Sequence, residues 1–397
     1  MEVVLDFELL FPQGFYDYHH NDERWFSRTQ SHDDIFSKIY GIFHRTGLPL
    51  NILSQTPPDG STWSLRPCPT ATVDHVFHRG YDWHGARLTT PRISVSDLDE
   101  RDIDCVFLAL REEMQITINS TCGFHVTVSP STPGGLDLGT IKRAIRLVWL
   151  VEPLLFQLCA PYRADERYCG QITGLSPLAA GLIMRTFSGS KSRYSGDPIS
   201  IAREALRGLE EVLQRIQEAP DLLSLDILTS HWNTLTPLSV CVGLDGKKGF
   251  ITFRMHESTL DHTLAKGWTR VCIALVEKSM LEEHEFKNFL DHICQQTQFN
   301  TAYVWADLLL GLGVQAPVIK AFAKKRCMLH EFEHIPEPRP WAGQNDEEPE
   351  LFLPRVSDDI YRIACAVSLP PAPVADLKYY QAPEDSKDGK KNPRKGR

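Results

Sequence analysis

Three short runs along the chain alternate between apolar and polar positions. In residues 3–11, Val3, Leu5, Phe7, Leu9 and Phe11 are interleaved with Asp6 and Glu8. Successive side chains of a strand point to opposite faces, so one face is greasy and the other carries acids. In residues 121–129, Cys122, Phe124, Val126 and Val128 alternate with Gly123, His125 and Thr127. In residues 250–256, Ile251, Phe253 and Met255 alternate with Thr252, Arg254 and His256. Leu238, Val240 and Val242 form a strand before it, and Asp245-Gly246 supplies a turn, which predicts an antiparallel hairpin carrying Arg254 and His256. If the three runs share a sheet, helices cover the greasy face and the other face gathers Asp6, Glu8, His125, Arg254 and His256. Each run taken alone also fits an amphipathic edge strand with one solvated face.

Helical periodicity fills much of the remainder. Ile35, Phe36, Ile39, Tyr40 and Phe43 lie on one helical face that ends at Gly47, a natural C-cap. Asp137 is placed to cap a helix running towards residue 160, and Asp197-Pro198 precedes a helix with Ile201, Ala205, Leu209, Val212 and Ile216 on one face. Further helices are expected at 97–113, 262–280, 283–296, 301–312 and 315–330. Strands and helices do not alternate in the rhythm of a doubly wound parallel sheet, so the expected class is α+β. Residues 336–397 hold 10 of the 26 prolines. This divides the chain into a folded part at 1–335, a Pro-rich extension at 336–380 containing a possible short helix at 356–369, and a disordered basic tail at 381–397.

Composition narrows the function classes. Net charge is −9, with +5 concentrated in residues 387–397 and −14 left on the rest. A body of that sign is not expected to neutralise phosphates along a nucleic acid. The opening MEVVLDFELLFP has acids inside its apolar run, unlike a signal peptide, and the best membrane candidate, 144–160, is broken by Arg146, Glu152 and Pro153. Ten scattered cysteines without a C-x-x-C pair are expected to be reduced thiols in a cytoplasmic protein. No membrane partner is expected, and the oligomeric state is left open.

Carboxylates and a guanidinium on one surface suit a metal-nucleotide: the acids hold Mg²⁺ and the arginine neutralises phosphate or carboxylate oxygens. The order of the runs resembles the amidoligase family. These are carboxylate–amine ligases of the glutamine synthetase and glutamate–cysteine ligase superfamily, well represented in fungi. The resemblance spans about residues 3–313. It rests on Leu5-Asp6-Phe7-Glu8, the Trp63 strand, Gly85-Ala86-Arg87-Leu88-Thr89-Thr90-Pro91, Cys122-Gly123-Phe124-His125-Val126, Glu152, Pro161-Tyr162-Arg163 and Asn233. Phe253-Arg254-Met255-His256, Thr259-Leu260-Asp261 and Trp268 complete the set.

The resemblance implies a curved antiparallel sheet of glutamine-synthetase-like type, with helices on one face and a concave polar face as active site. There ATP and Mg²⁺, or Mn²⁺, would convert a small-molecule or peptide carboxylate to an acyl phosphate, which an amine attacks. By the same resemblance Asp6, Glu8 and His125 match metal-binding positions. Arg254, Arg163 and His256 would be catalytic, and His125, Arg254 and Asn233 would contact the cofactor. Several positions depart from the family pattern: Thr127 replaces its second His, Arg87 and Thr252 replace acids, and Val4 and Asp6 replace the glycine and glutamate that open its first strand. The departures define an alternative, a non-catalytic member that binds a peptide or nucleotide.

Two other motifs compete. His330-Glu331-Phe332-Glu333-His334 matches H-E-x-x-H, the pattern of a zinc hydrolase. Pro336 follows almost at once and no third ligand is evident, so a charged helix end is the favoured reading. Ser188-Gly189-Ser190-Lys191-Ser192 lacks P-loop spacing and reads as a loop.

Overall fold

The computed structural model describes residues 1–14, 32–52, 60–72, 81–98, 102–114, 121–131, 135–160, 172–175, 210–229, 238–242, 249–299 and 304–332, together with positions 116, 118, 163 and 169. Asn233, His334, the Asp245-Gly246 turn, the Ser188–Ser192 loop and the expected extension and tail at 336–380 and 381–397 lie outside the described residues.

The class is α+β, built on one open and mostly antiparallel sheet. Its strands are β1 Glu2–Gly14, β2 Leu50–Ile52, β3 Trp63–Pro67, β4 Tyr81–Thr89, β5 Ile93–Ser94, β6 Phe124–Ser129, β7 Leu238–Val242 and β8 Gly249–Phe253. They follow the path β2-β3-β4-β1-β6-β8-β7, with β5 paired to the start of β1. Only β2 and β3 run parallel among the pairs described. The three alternating runs therefore do share one sheet, with β1, β6 and β8 side by side. The β7–β8 pair is antiparallel, as its sequence predicts.

Helices cover the greasy face. The main ones are α1 His32–Thr46, α2 Asp102–Glu113, α3 Leu138–Phe156, α4 Leu222–Thr229, α5 His262–Ser279, α6 Glu283–Phe299, α7 Trp305–Leu312 and α8 Ala316–Phe332. One apolar core joins them to Val3, Leu5, Phe7, Leu9, Phe124, Val126 and Val128. Phe7 stacks on Phe124 at 4.6 Å between ring centroids and meets the edge of Phe107 at 4.8 Å. The Asp137 and Gly47 caps form as expected, and Asp261 caps α5 in addition. The Asp137 carboxylate accepts from Thr140 N–H at 2.9 Å, Asp261 accepts from Thr263 N–H at 2.9 Å, and Gly47 leaves α1 with φ 75°. The helix expected at 97–113 begins only at Asp102, after a separate helical turn at Val95–Asp97. Among the described residues no helix is long and apolar enough to cross a membrane.

Strict alternation fails where β6 and β8 begin and end. Val126 pairs with Phe253, but Gly123 pairs with Glu257: three steps on one strand face four on the other. One extra residue makes a β-bulge, and an extra residue reverses the faces beyond it. His256 is accordingly not on the polar face. It is fully buried on the helix side, 5.2 Å from the Trp268 ring and 6.1 Å from Phe124. Cys122 likewise leaves the main core for a small satellite cluster with Leu10, Cys68 and Ala71.

Candidate functional site

The polar face is a grid set by strand register. One row runs Ser64, Thr89, Asp6 and His125 across β3, β4, β1 and β6. The next runs Arg66, Arg87 and Glu8. A third places Val4, Thr127, Thr252 and Ser239 in line, and the Thr127 and Thr252 hydroxyls meet at 2.8 Å. Arg254 directly follows Phe253, the last β8 residue paired with β6, and its charge acts on His125.

Both expected acids lie here, but each is already engaged. Asp6 accepts a hydrogen bond from the Thr89 hydroxyl. Glu8 is only 1% exposed and its two oxygens have separate partners. Oε1 is ion-paired with Arg87 and accepts from the Cys68 thiol at 3.5 Å, while Oε2 accepts from Gly123 N–H at 2.8 Å. The Arg87 guanidinium is shifted towards its charged form: burial alone opposes this, and the charges of Glu8, Cys68 and Asp6 outweigh it.

His125 sits at the centre, 3% exposed, and its Nε2 is buried without a hydrogen-bond partner. Burial, followed by the positive charges of Arg87, Arg254, Arg163 and Arg66, holds its pKa well below the ordinary histidine range, so the ring is neutral. The Arg254 Nε is a second buried nitrogen without a partner. An added Cβ at Gly123 would lie 2.8 Å from His125 Nε2 and 3.3 Å from Arg163 Nη2, so the ring fits closely because position 123 has no side chain.

Arg163 is 1% exposed and donates to the backbone carbonyls of Met255 at 3.2 Å and Arg254 at 2.8 Å. Those carbonyls belong to the bulge, where the strand ladder is interrupted. Arg163 thus stitches the bulge that aims Arg254 at the polar face.

Behind the bulge lies a buried ionic group that sequence periodicity does not reveal. Lys325 of α8 pairs with Glu257 and reaches His256 Nε2 at 2.9 Å and the Leu158 carbonyl at 2.7 Å. Glu257 also accepts from Ala160 N–H at 2.7 Å. Burial would raise the Glu257 carboxyl, but the neighbouring His256 ring, the Lys325 ammonium and these hydrogen bonds bring it down to about 2. Burial lowers His256 to about 4, leaving a neutral ring that accepts from Lys325. Glu152, named by the motif set, is fully buried in α3 and accepts from Ile172 and Thr173 N–H, each at 2.8 Å. His330 and Glu331 fall within α8.

A divalent cation does not fit the donor set on the polar face. Both Glu8 oxygens are taken and a guanidinium lies against them. Among the described residues no group of three or more His, Cys, Asp or Glu side chains is arranged to hold a metal ion. A neutral imidazole that feels the positive charges of Arg87, Arg254, Arg163 and Arg66, with the Arg254 Nε buried and unpartnered, fits an anion instead. No family model matches the chain, and no curated protein matches it.

Proposed function

We propose that the chain is an amidoligase-like protein whose polar face binds a small carboxylate- or phosphate-bearing ligand without a divalent metal. The observation that carries this is the buried, unpartnered Nε2 of His125, accompanied by Arg254, whose Nε is also buried without a partner. Such a nitrogen costs free energy unless a ligand satisfies it. The adjacent Arg254 offers a charge-assisted donor of the kind that recognises oxyanions. The finer fold assignment, a curved sheet of glutamine-synthetase-like type, belongs to this proposal and is supported by the motif order and by the adjacency of β1, β6 and β8.

Calorimetric titration of inorganic phosphate, ATP and small dicarboxylates in EDTA tests the reading. Binding of at least one class, weakened about tenfold or more by Arg254→Gln and by His125→Leu, is the expected outcome. No binding by any of them, or affinity indifferent to both substitutions, would contradict it.

A second reading is an ATP-dependent ligase forming an amide bond. It is favoured by the ordered motif set and by the gathering of Asp6, Glu8, His125 and Arg254 on one side of one sheet. Release of phosphate from ATP that requires both a carboxylate and an amine would establish it in place of the first reading.

A further inference from the structure

Two carboxylates and an imidazole on adjoining strands would ordinarily invite a divalent cation. Asp6 and Glu8 lie two residues apart on one face of β1, and His125 is in register with Asp6. The His125 Nε2 is buried and unpartnered, and the Cys68 thiol lies beside Glu8. Oxygen, nitrogen and sulfur donors of this kind match Mn²⁺ or Zn²⁺ better than a random surface does. As they stand, these donors form no group able to hold a metal ion, and a cation of the chain's own lies against them. Arg87 is directly opposite Glu8 in the β1–β4 register, pairs with its Oε1, and approaches the Cys68 sulfur at 4.0 Å.

We propose that Arg87 is a resident cation: its guanidinium occupies the place against Glu8, beside Asp6 and His125, that a metal ion would otherwise take, and presents a fixed positive charge to the anionic ligand. A guanidinium suits this role because it stays charged at all working pH values and carries five N–H donors in a planar fork. Glu8 is almost fully buried whereas the Arg87 side chain keeps 22% of its surface exposed, so part of the fork remains open to a ligand while the rest neutralises Glu8. The ligand half of this inference rests on the anion-binding reading above. The metal half does not.

Manganese binding to the full chain, followed by electron paramagnetic resonance, tests the metal half. The natural protein should show no saturable binding. Arg87→Glu, which replaces the resident charge with a third carboxylate, should bind one Mn²⁺ per chain and lose it when Glu8→Gln is added. Arg87→Gln, a gentler change that keeps hydrogen-bonding capacity, should bind Mn²⁺ more weakly but measurably. Saturable binding by the natural protein that disappears with Glu8→Gln would overturn the inference, as would silence from both Arg87 variants in folded form. In the ligand half, phosphate titrated in EDTA should bind about tenfold or more weakly to Arg87→Gln and close to normally to Arg87→Lys. Equal phosphate affinity in Arg87→Gln would overturn that half alone. Absence of phosphate binding by the natural protein would overturn that half, and absence of ATP and dicarboxylate binding as well would overturn the reading it rests on, while the manganese result still decides whether Arg87 is the cation.

Discussion

A methyl group at position 123 would lie 2.8 Å from His125 Nε2, closer than such contacts tolerate. Gly123→Ala should therefore displace the imidazole, costing about 1–3 kcal/mol in urea unfolding and weakening phosphate binding in the same protein. The buried Lys325–Glu257 pair makes a sharper demand. Lys325→Met strands a buried carboxylate and should cost about 3–5 kcal/mol, whereas Lys325→Met combined with Glu257→Gln should recover most of that loss in the same unfolding assay. Protonation gives a third expectation. His256 has a folded pKa of about 4 against an ordinary 6.5, so the unfolded chain binds the proton first. Its contribution is complete above about pH 6.5 and is lost as pH falls through 4. Glu257, lowered from 4.5 to about 2, adds a second loss between those values. Urea midpoints should fall from pH 7 to pH 4, and His256→Asn should flatten the slope without abolishing it, because His125 is also held neutral.

At the scale of elements, capping is the most local contribution. Asp137→Ala and Asp261→Ala remove side-chain acceptors at the starts of α3 and α5 and should each lower stability by about 1 kcal/mol, read by denaturant unfolding. The strands were legible because each has one fully buried face, which forces a period of two on its apolar residues. That is why Leu5, Phe7, Phe124, Val126, Ile251 and Phe253 could be assigned to the core from sequence. His256 departs from that alternation for a physical reason. A bulge adds one residue without changing composition, so Met255-His256-Glu257 reads as continued alternation although the backbone has turned over. Arg66 is readable in retrospect from its alternation with Ser64 in the Trp63–Pro67 run, but that run is too short to declare its polar side. Lys325 gave no signal, because its partners lie about 70 and 170 residues away along the chain and its helix shows no periodicity that singles it out.

Taken over the whole molecule, the average charge conceals the site. The protein is acidic at −9, yet the charges of four arginines act on His125 in a face that also carries Asp6 and Glu8. Net charge governs solubility and long-range encounter, whereas a local group of charges acts on what reaches it. The family resemblance marks Asp6, Glu8, His125, Arg163, Asn233, Arg254 and His256 as site residues; Asp6, Glu8, His125 and Arg254 lie together on the polar face, His256 is buried on the helix side, and Asn233 lies outside the described residues. Arg163 reaches the same place from behind through the backbone of the bulge. What the motif order did not convey is the consequence of Arg87, since pairing with Glu8 follows only from the β1–β4 register. The decisive measurement is a calorimetric titration of ATP into the full chain, first in EDTA and then in excess Mg²⁺. Saturable binding in EDTA, no tighter with Mg²⁺ and weakened by Arg254→Gln, is the predicted result. Binding that appears only with Mg²⁺ and vanishes with Glu8→Ala would contradict it.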